Sequence, residues 1–100
     1  LAQNGSRMTK ELQSKIEQAA SELIKAGAKE VYLFGSAVRD EIIDPQDIDL
    51  AVSGIAPDRF FAAMAAAAQL LDRPLDLVDL DDDSPLVRYL RDKGNLQRVA

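Results

Sequence analysis

Histidine, cysteine and tryptophan are all absent from this 100-residue chain. Without cysteine there is neither a disulfide nor a cysteine-based zinc site. Without histidine there is no Ser-His triad, no imidazole base and no imidazole metal ligand. Any chemistry therefore falls to carboxylates, hydroxyls, lysine, arginine, or an ion held by oxygen. No apolar run is long and uncharged enough to span a bilayer, and no cleavable signal peptide is apparent. The expected location is the cytoplasm, with no membrane partner. Basic residues are in the minority, 12 Lys and Arg against 17 Asp and Glu, for a net charge of −5. Duplex affinity relies on cations that neutralise phosphates, so direct nucleic-acid binding is not expected. Acids gathered in one site would instead suit a hard cation such as magnesium.

Hydrophobic residues make up 47% of the chain, enough for one folded domain with a modest core. The stretch LAQNGSR, residues 1–7, precedes Met8 and reads as a vector-derived scar. The domain is assigned to residues 8–100.

Apolar positions Leu12, Ile16, Ala19, Ala20, Leu23 and Ile24 recur at helical spacing after Thr9, a natural N-cap, and Gly27 can close that helix. Val31 to Phe34 is a short strand that ends at Gly35. Ser36 can cap a short helix through about Glu41, and Asp44-Pro45 marks a turn. Asp47 to Ser53 reads as a second strand. An alanine-rich helix begins at Asp58, and a third strand follows over Pro74 to Leu80. Ser84-Pro85 opens a last helix that stops at Gly94, and the tail NLQRVA predicts a short edge strand. The alternation predicts an α/β (α+β) domain, a small mixed β-sheet with helices packed on it. Periodicity alone leaves open which strands are parallel.

Side chains alternate along a strand, so Asp47 and Asp49 share one face while Ile48 and Leu50 face the core. Two carboxylates so close repel each other unless a cation neutralises them. Asp76 interrupts the third strand in the same way, between Leu75 and Leu77. If the two strands are neighbours, three carboxylates meet. Three carboxylates can hold two metal ions about 3.5–4 Å apart, an arrangement suited to in-line phosphoryl transfer. Asp79 falls on the opposite face from Asp76. Gly35-Ser36 supplies a turn where the backbone can approach an anion at a helix start. Plainer readings stand beside these: a solvated acidic strand face for the aspartates, an ordinary turn for Gly35-Ser36, a surface ion pair for Arg39. Asp81 to Asp83 read as a solvated loop, and Tyr89 as packing.

Gly35-Ser36, ten residues, then Asp47-Ile48-Asp49 resembles the GS-x10-DxD signature of the polymerase-β-like nucleotidyltransferase superfamily. At average residue frequencies such a match arises by chance in roughly one chain in a thousand of this length. The resemblance runs from about Thr9 onward and is nearest to the minimal nucleotidyltransferases of prokaryotes, which often pair with a HEPN-domain toxin. It implies a polymerase-β-like fold and a magnesium-dependent enzyme, with two ions bound alongside the nucleotide. The reaction implied is transfer of a nucleoside monophosphate, AMP from ATP, to a hydroxyl of a partner protein, the HEPN toxin. It implies metal ligation and catalysis by Asp47, Asp49 and Asp76, the last also helping to deprotonate the acceptor. Nucleotide binding would fall to Gly35, Ser36 and Arg39. The chain departs from the family's GSRARG, reading Gly35-Ser36-Ala37-Val38-Arg39-Asp40, and Gln46 replaces a common serine. These changes bear on nucleotide affinity more than on fold. The alternative is a non-catalytic antitoxin or subunit that masks its partner by contact. Transfer to a small molecule or to RNA is a weaker third option, since it usually needs an extra domain or a basic face.

Overall fold

The computed structural model describes residues 9–38 and 45–100. The expected scar, Arg39, Asp40 and the end of the short helix expected after Ser36 lie outside these residues. The first helix, α1 (Lys10–Lys25), starts where the Thr9 hydroxyl accepts from the Leu12 N–H at 3.1 Å, a side-chain N-cap. Strand β1 (Glu30–Phe34) runs into a 3-10 turn, Gly35–Val38. Strand β2 (Ile48–Ser53) is followed by α2 (Pro57–Leu71), whose Pro57 sits at the first helical position, where no N–H is needed. Strand β3 (Leu75–Asp79), α3 (Pro85–Lys93) and the two-residue β4 (Gln97–Arg98) complete the chain. The Ser84 hydroxyl caps α3 by accepting from Val87 N–H at 3.2 Å.

The sheet order is β3-β2-β1-β4, with β1 antiparallel to both β2 and β4 and β2 parallel to β3. The parallel pair requires a crossover, and α2 provides it. The tail therefore does form the expected edge strand. Period-2 alternation sorts the side chains into two layers. Val31, Leu33, Ile48, Leu50 and Val52 point to one face, where α1 and α2 bury them with Leu12, Leu23, Ala67 and Leu71. On the other face Ala51 packs with Leu80 and Val87, flanked by Tyr32, Phe34, Val78 and Leu96. Among the described residues, α3 is the helix that packs on that second face.

Three local expectations change. The second strand starts at Ile48 rather than Asp47, which occupies a bend just before it. Asp81 is not simply solvated, because its Oδ2 accepts from the Gly54 N–H at 2.7 Å and its own N–H donates to Asp79 Oδ1 at 2.9 Å. These bonds tie the loop after β3 to the end of β2. Tyr89 is not a packing residue, since α3 buries its Val87–Leu90 stripe and leaves Tyr89 exposed. Among the described residues no helix is long and apolar enough to cross a membrane.

Candidate active site

Strand register assembles the site. Asp49 lies opposite Phe34 on the β1 side and opposite Asp76 on the β3 side. Aligned partners in a sheet share a face, so Asp49 and Asp76 both stand on the α3 side, beyond the part of the sheet that α3 covers. Asp49 is half-buried, while Asp47 and Asp76 are exposed. The Asp49 carboxyl is pushed above its ordinary value of 3.8, first by burial, then by the charges of Asp76 and Asp47, and finally by a hydrogen bond with Asp76. The two flanking aspartates thus act on one central carboxylate, as their spacing predicts.

Gly35 closes the other side of Asp49. Its φ is +74°, a left-handed conformation that suits glycine. A Cβ added there would meet Asp49 Oδ2 at 2.2 Å and Asp49 Cγ at 3.1 Å. The turn backbone therefore rests directly on the carboxylate, and glycine is required both for conformation and for space. Ser36 follows within the same 3-10 turn. Arg39, the other residue expected to contact nucleotide, lies outside the described residues.

The donor set Asp47, Asp49 and Asp76 consists of oxygen ligands only, which suits magnesium and excludes soft metals. Among the described residues no three acidic side chains are grouped tightly enough to form a ready metal cage. Asp49 is instead the shared neighbour of the other two. A half-buried carboxylate crowded by like charges is the group that a divalent cation would relieve most, so the residues fit such an ion.

One positioning element has no signature in the sequence. Arg73 Nη1 donates to the Pro45 carbonyl at 2.6 Å, and the Ile48 N–H donates to the Pro74 carbonyl at 3.0 Å. The Arg73-Pro74 pair thus grips the chain on both sides of Asp47. Arg73→Ala is expected to destabilise the fold by about 1.5–3 kcal/mol, the range for a hydrogen bond from a charged group. Urea denaturation measures this, and an unchanged midpoint would show that the grip contributes nothing.

No curated protein sequence matches this chain significantly. Several solved structures share its fold. A crystal structure of a toxin–antitoxin with AMP-PNP aligns with TM-score 0.63 at 24% identity, over 84% of this chain and 72% of that one. A complex of tri-AMPylated Shewanella oneidensis HEPN toxin with MNT antitoxin aligns with TM-score 0.62 at 23% identity, over 88% and 71%. The toxin–antitoxin MntA–HepT aligns with TM-score 0.59 at 24% identity, over 89% and 69%. Residues 14–95 match the family model described as polymerase beta, nucleotidyltransferase. With its Gly-Ser turn seated against the carboxylate that Asp47 and Asp76 flank, the chain belongs to the polymerase beta nucleotidyltransferase family.

Proposed function

We propose that this chain is a magnesium-dependent nucleotidyltransferase that transfers AMP from ATP to a hydroxyl of a partner protein, and that it serves as the antitoxin of a HEPN-domain toxin. The observation that carries this reading is the close approach of Gly35 to Asp49 beside Asp76, which sets the Gly-Ser turn against the paired carboxylates. The structural relatives support the choice of partner and nucleotide, since one complex holds AMP-PNP and another an AMPylated HEPN toxin.

Asp47, Asp49 and Asp76 would hold magnesium, which when bound supplies charge neutralisation and Lewis acidity at the triphosphate. The 3-10 turn at Gly35-Ser36 presents backbone N–H groups to the phosphates, with no side chain at Gly35 to keep them away. The acceptor hydroxyl oxygen attacks the α-phosphorus, and the bond from that phosphorus to the bridging oxygen of pyrophosphate breaks. The hydroxyl proton passes to Asp76, the exposed carboxylate on the edge strand, and pyrophosphate leaves with the bonding pair.

The test uses ATP labelled on its α-phosphate, magnesium and a HEPN-domain partner protein. Label is expected on the partner, and its transfer is expected to vanish in the Asp47→Ala, Asp49→Ala double variant. Absence of transfer by the wild type, with toxin neutralisation retained by the double variant, would establish masking by contact instead.

A further inference from the structure

A cavity of about 420 Å³ opens beside the candidate site, between the 3-10 turn and α3. Its walls include Phe34, Gly35 and Val38 on one side and Leu86, Tyr89 and Lys93 of α3 on the other. The volume falls within the roughly 300–1,000 Å³ typical of small-molecule sites. Gly35 is common to this cavity and to the carboxylate cluster, lining the first and touching Asp49 of the second. The two spaces are therefore adjacent across one residue.

The wall has a specific chemistry. Leu86, Tyr89 and Lys93 fall at helical spacing along one flank of α3, beside Leu90, which also lines the cavity, and away from the buried Val87. Leu86 is 50% exposed and Tyr89 59% exposed, so an aromatic face and an aliphatic side chain are available to a ligand. Among the described residues, Lys93 is the charged one in the wall and no carboxylate lines it. A flat apolar surface beside a cation matches a molecule that is aromatic at one end and anionic at the other. A nucleotide has that form.

We infer that the cavity between the Gly35–Val38 turn and α3 receives the nucleobase of the bound nucleoside triphosphate, with Tyr89 as its stacking surface and Leu86 as the adjoining apolar wall. The inference rests on the nucleotidyltransferase reading above. It places nucleotide selection within this chain, on α3, with the triphosphate at Gly35 and the base beyond it.

The experiment compares binding of ATP and of inorganic tripolyphosphate, each with magnesium, by calorimetry. Tripolyphosphate has the anionic part and no base. Tyr89→Ala is expected to weaken ATP binding about tenfold, within the range for removing one base-stacking aromatic. Tripolyphosphate binding is expected to be unchanged, which also shows that the variant is folded. Tyr89→Phe is expected to bind ATP like the wild type, because stacking needs the ring and not the hydroxyl. Leu86→Ala, on the same exposed flank, is expected to weaken ATP binding selectively but less. Wild-type ATP affinity in Tyr89→Ala would overturn the inference while leaving the transfer reading intact, as would equal weakening of both ligands. If Tyr89→Ala weakened only association with a protein partner, α3 would be a protein contact and the inference would fall. Failure of the wild type to bind either ligand would overturn both readings.

Discussion

Asp49→Asn is expected to give a more stable protein that no longer transfers a nucleotide. Asp49 is the carboxyl that burial and the charges of Asp76 and Asp47 push above its ordinary value. A carboxyl raised in the folded state stabilises that state while protonated. The contribution is complete below the ordinary value near 3.8 and is lost as pH rises through the folded-state value. While Asp49 is ionised, its crowding by burial and like charges is an uncompensated cost. Asparagine removes the charge and keeps the shape. The gain should be about 0.5–2 kcal/mol, as for other strained functional sites, and nearer the low end because the group is only half-buried. Thermal melts at neutral and acidic pH measure it. The advantage over wild type should be largest at neutral pH and shrink as pH falls into the carboxylate range. An advantage that grows on acidification would contradict the crowding argument. Transfer should fall by at least about 10²–10³-fold, the usual cost of losing a group that stabilises transition-state charge.

Gly35→Ala should lower transfer as well, but with the opposite effect on stability. The added methyl meets Asp49 Oδ2 at 2.2 Å, and the backbone at φ +74° resists any residue with a Cβ. Strain of this kind costs about 1–3 kcal/mol. For a domain of this size each kcal/mol lowers Tm by roughly 4–8 °C. Because the nearest obstruction is the carboxylate itself, adding Asp49→Ala to Gly35→Ala should recover part of the loss. A double-mutant cycle in thermal stability reads that coupling. Strict additivity would mean that the two residues do not press on each other.

The parts of the site that repeat along the chain were legible from it. Period-2 alternation placed Ile48 and Leu50 in the core and left Asp49 on the other face, as the structure has it. Asp76 in an apolar run could join the pair if the two strands were neighbours, and the parallel β2–β3 pair brings it level with Asp49. The features that escaped are those without a local pattern. Arg73 reaches a carbonyl 28 residues away, and Asp81 an N–H 27 residues away, and neither bond leaves a periodic trace. Asp47 fits the strand alternation, but the chain bends there before Ile48 joins the ladder. Tyr89 has the residue type of a packing position; its place off the Val87–Leu90 stripe becomes clear only once the sheet face is known.

The pairing of Asp49 with Asp76 ties the candidate site to the strand topology. A slip of β3 by a single residue against β2 would turn Asp76 toward α1 and α2 and bring Leu75 and Leu77 out beside Asp49. The same slip would bury a charge and expose two leucines, so the core rejects that register. Because β3 is an edge strand joined to β2 through the α2 crossover, this pairing is non-local and must close the chain around a whole helix. A compact but misregistered chain would retain its helices and lack the site altogether. Nucleotide binding in this protein would therefore report native strand order, a property that helical content alone would miss.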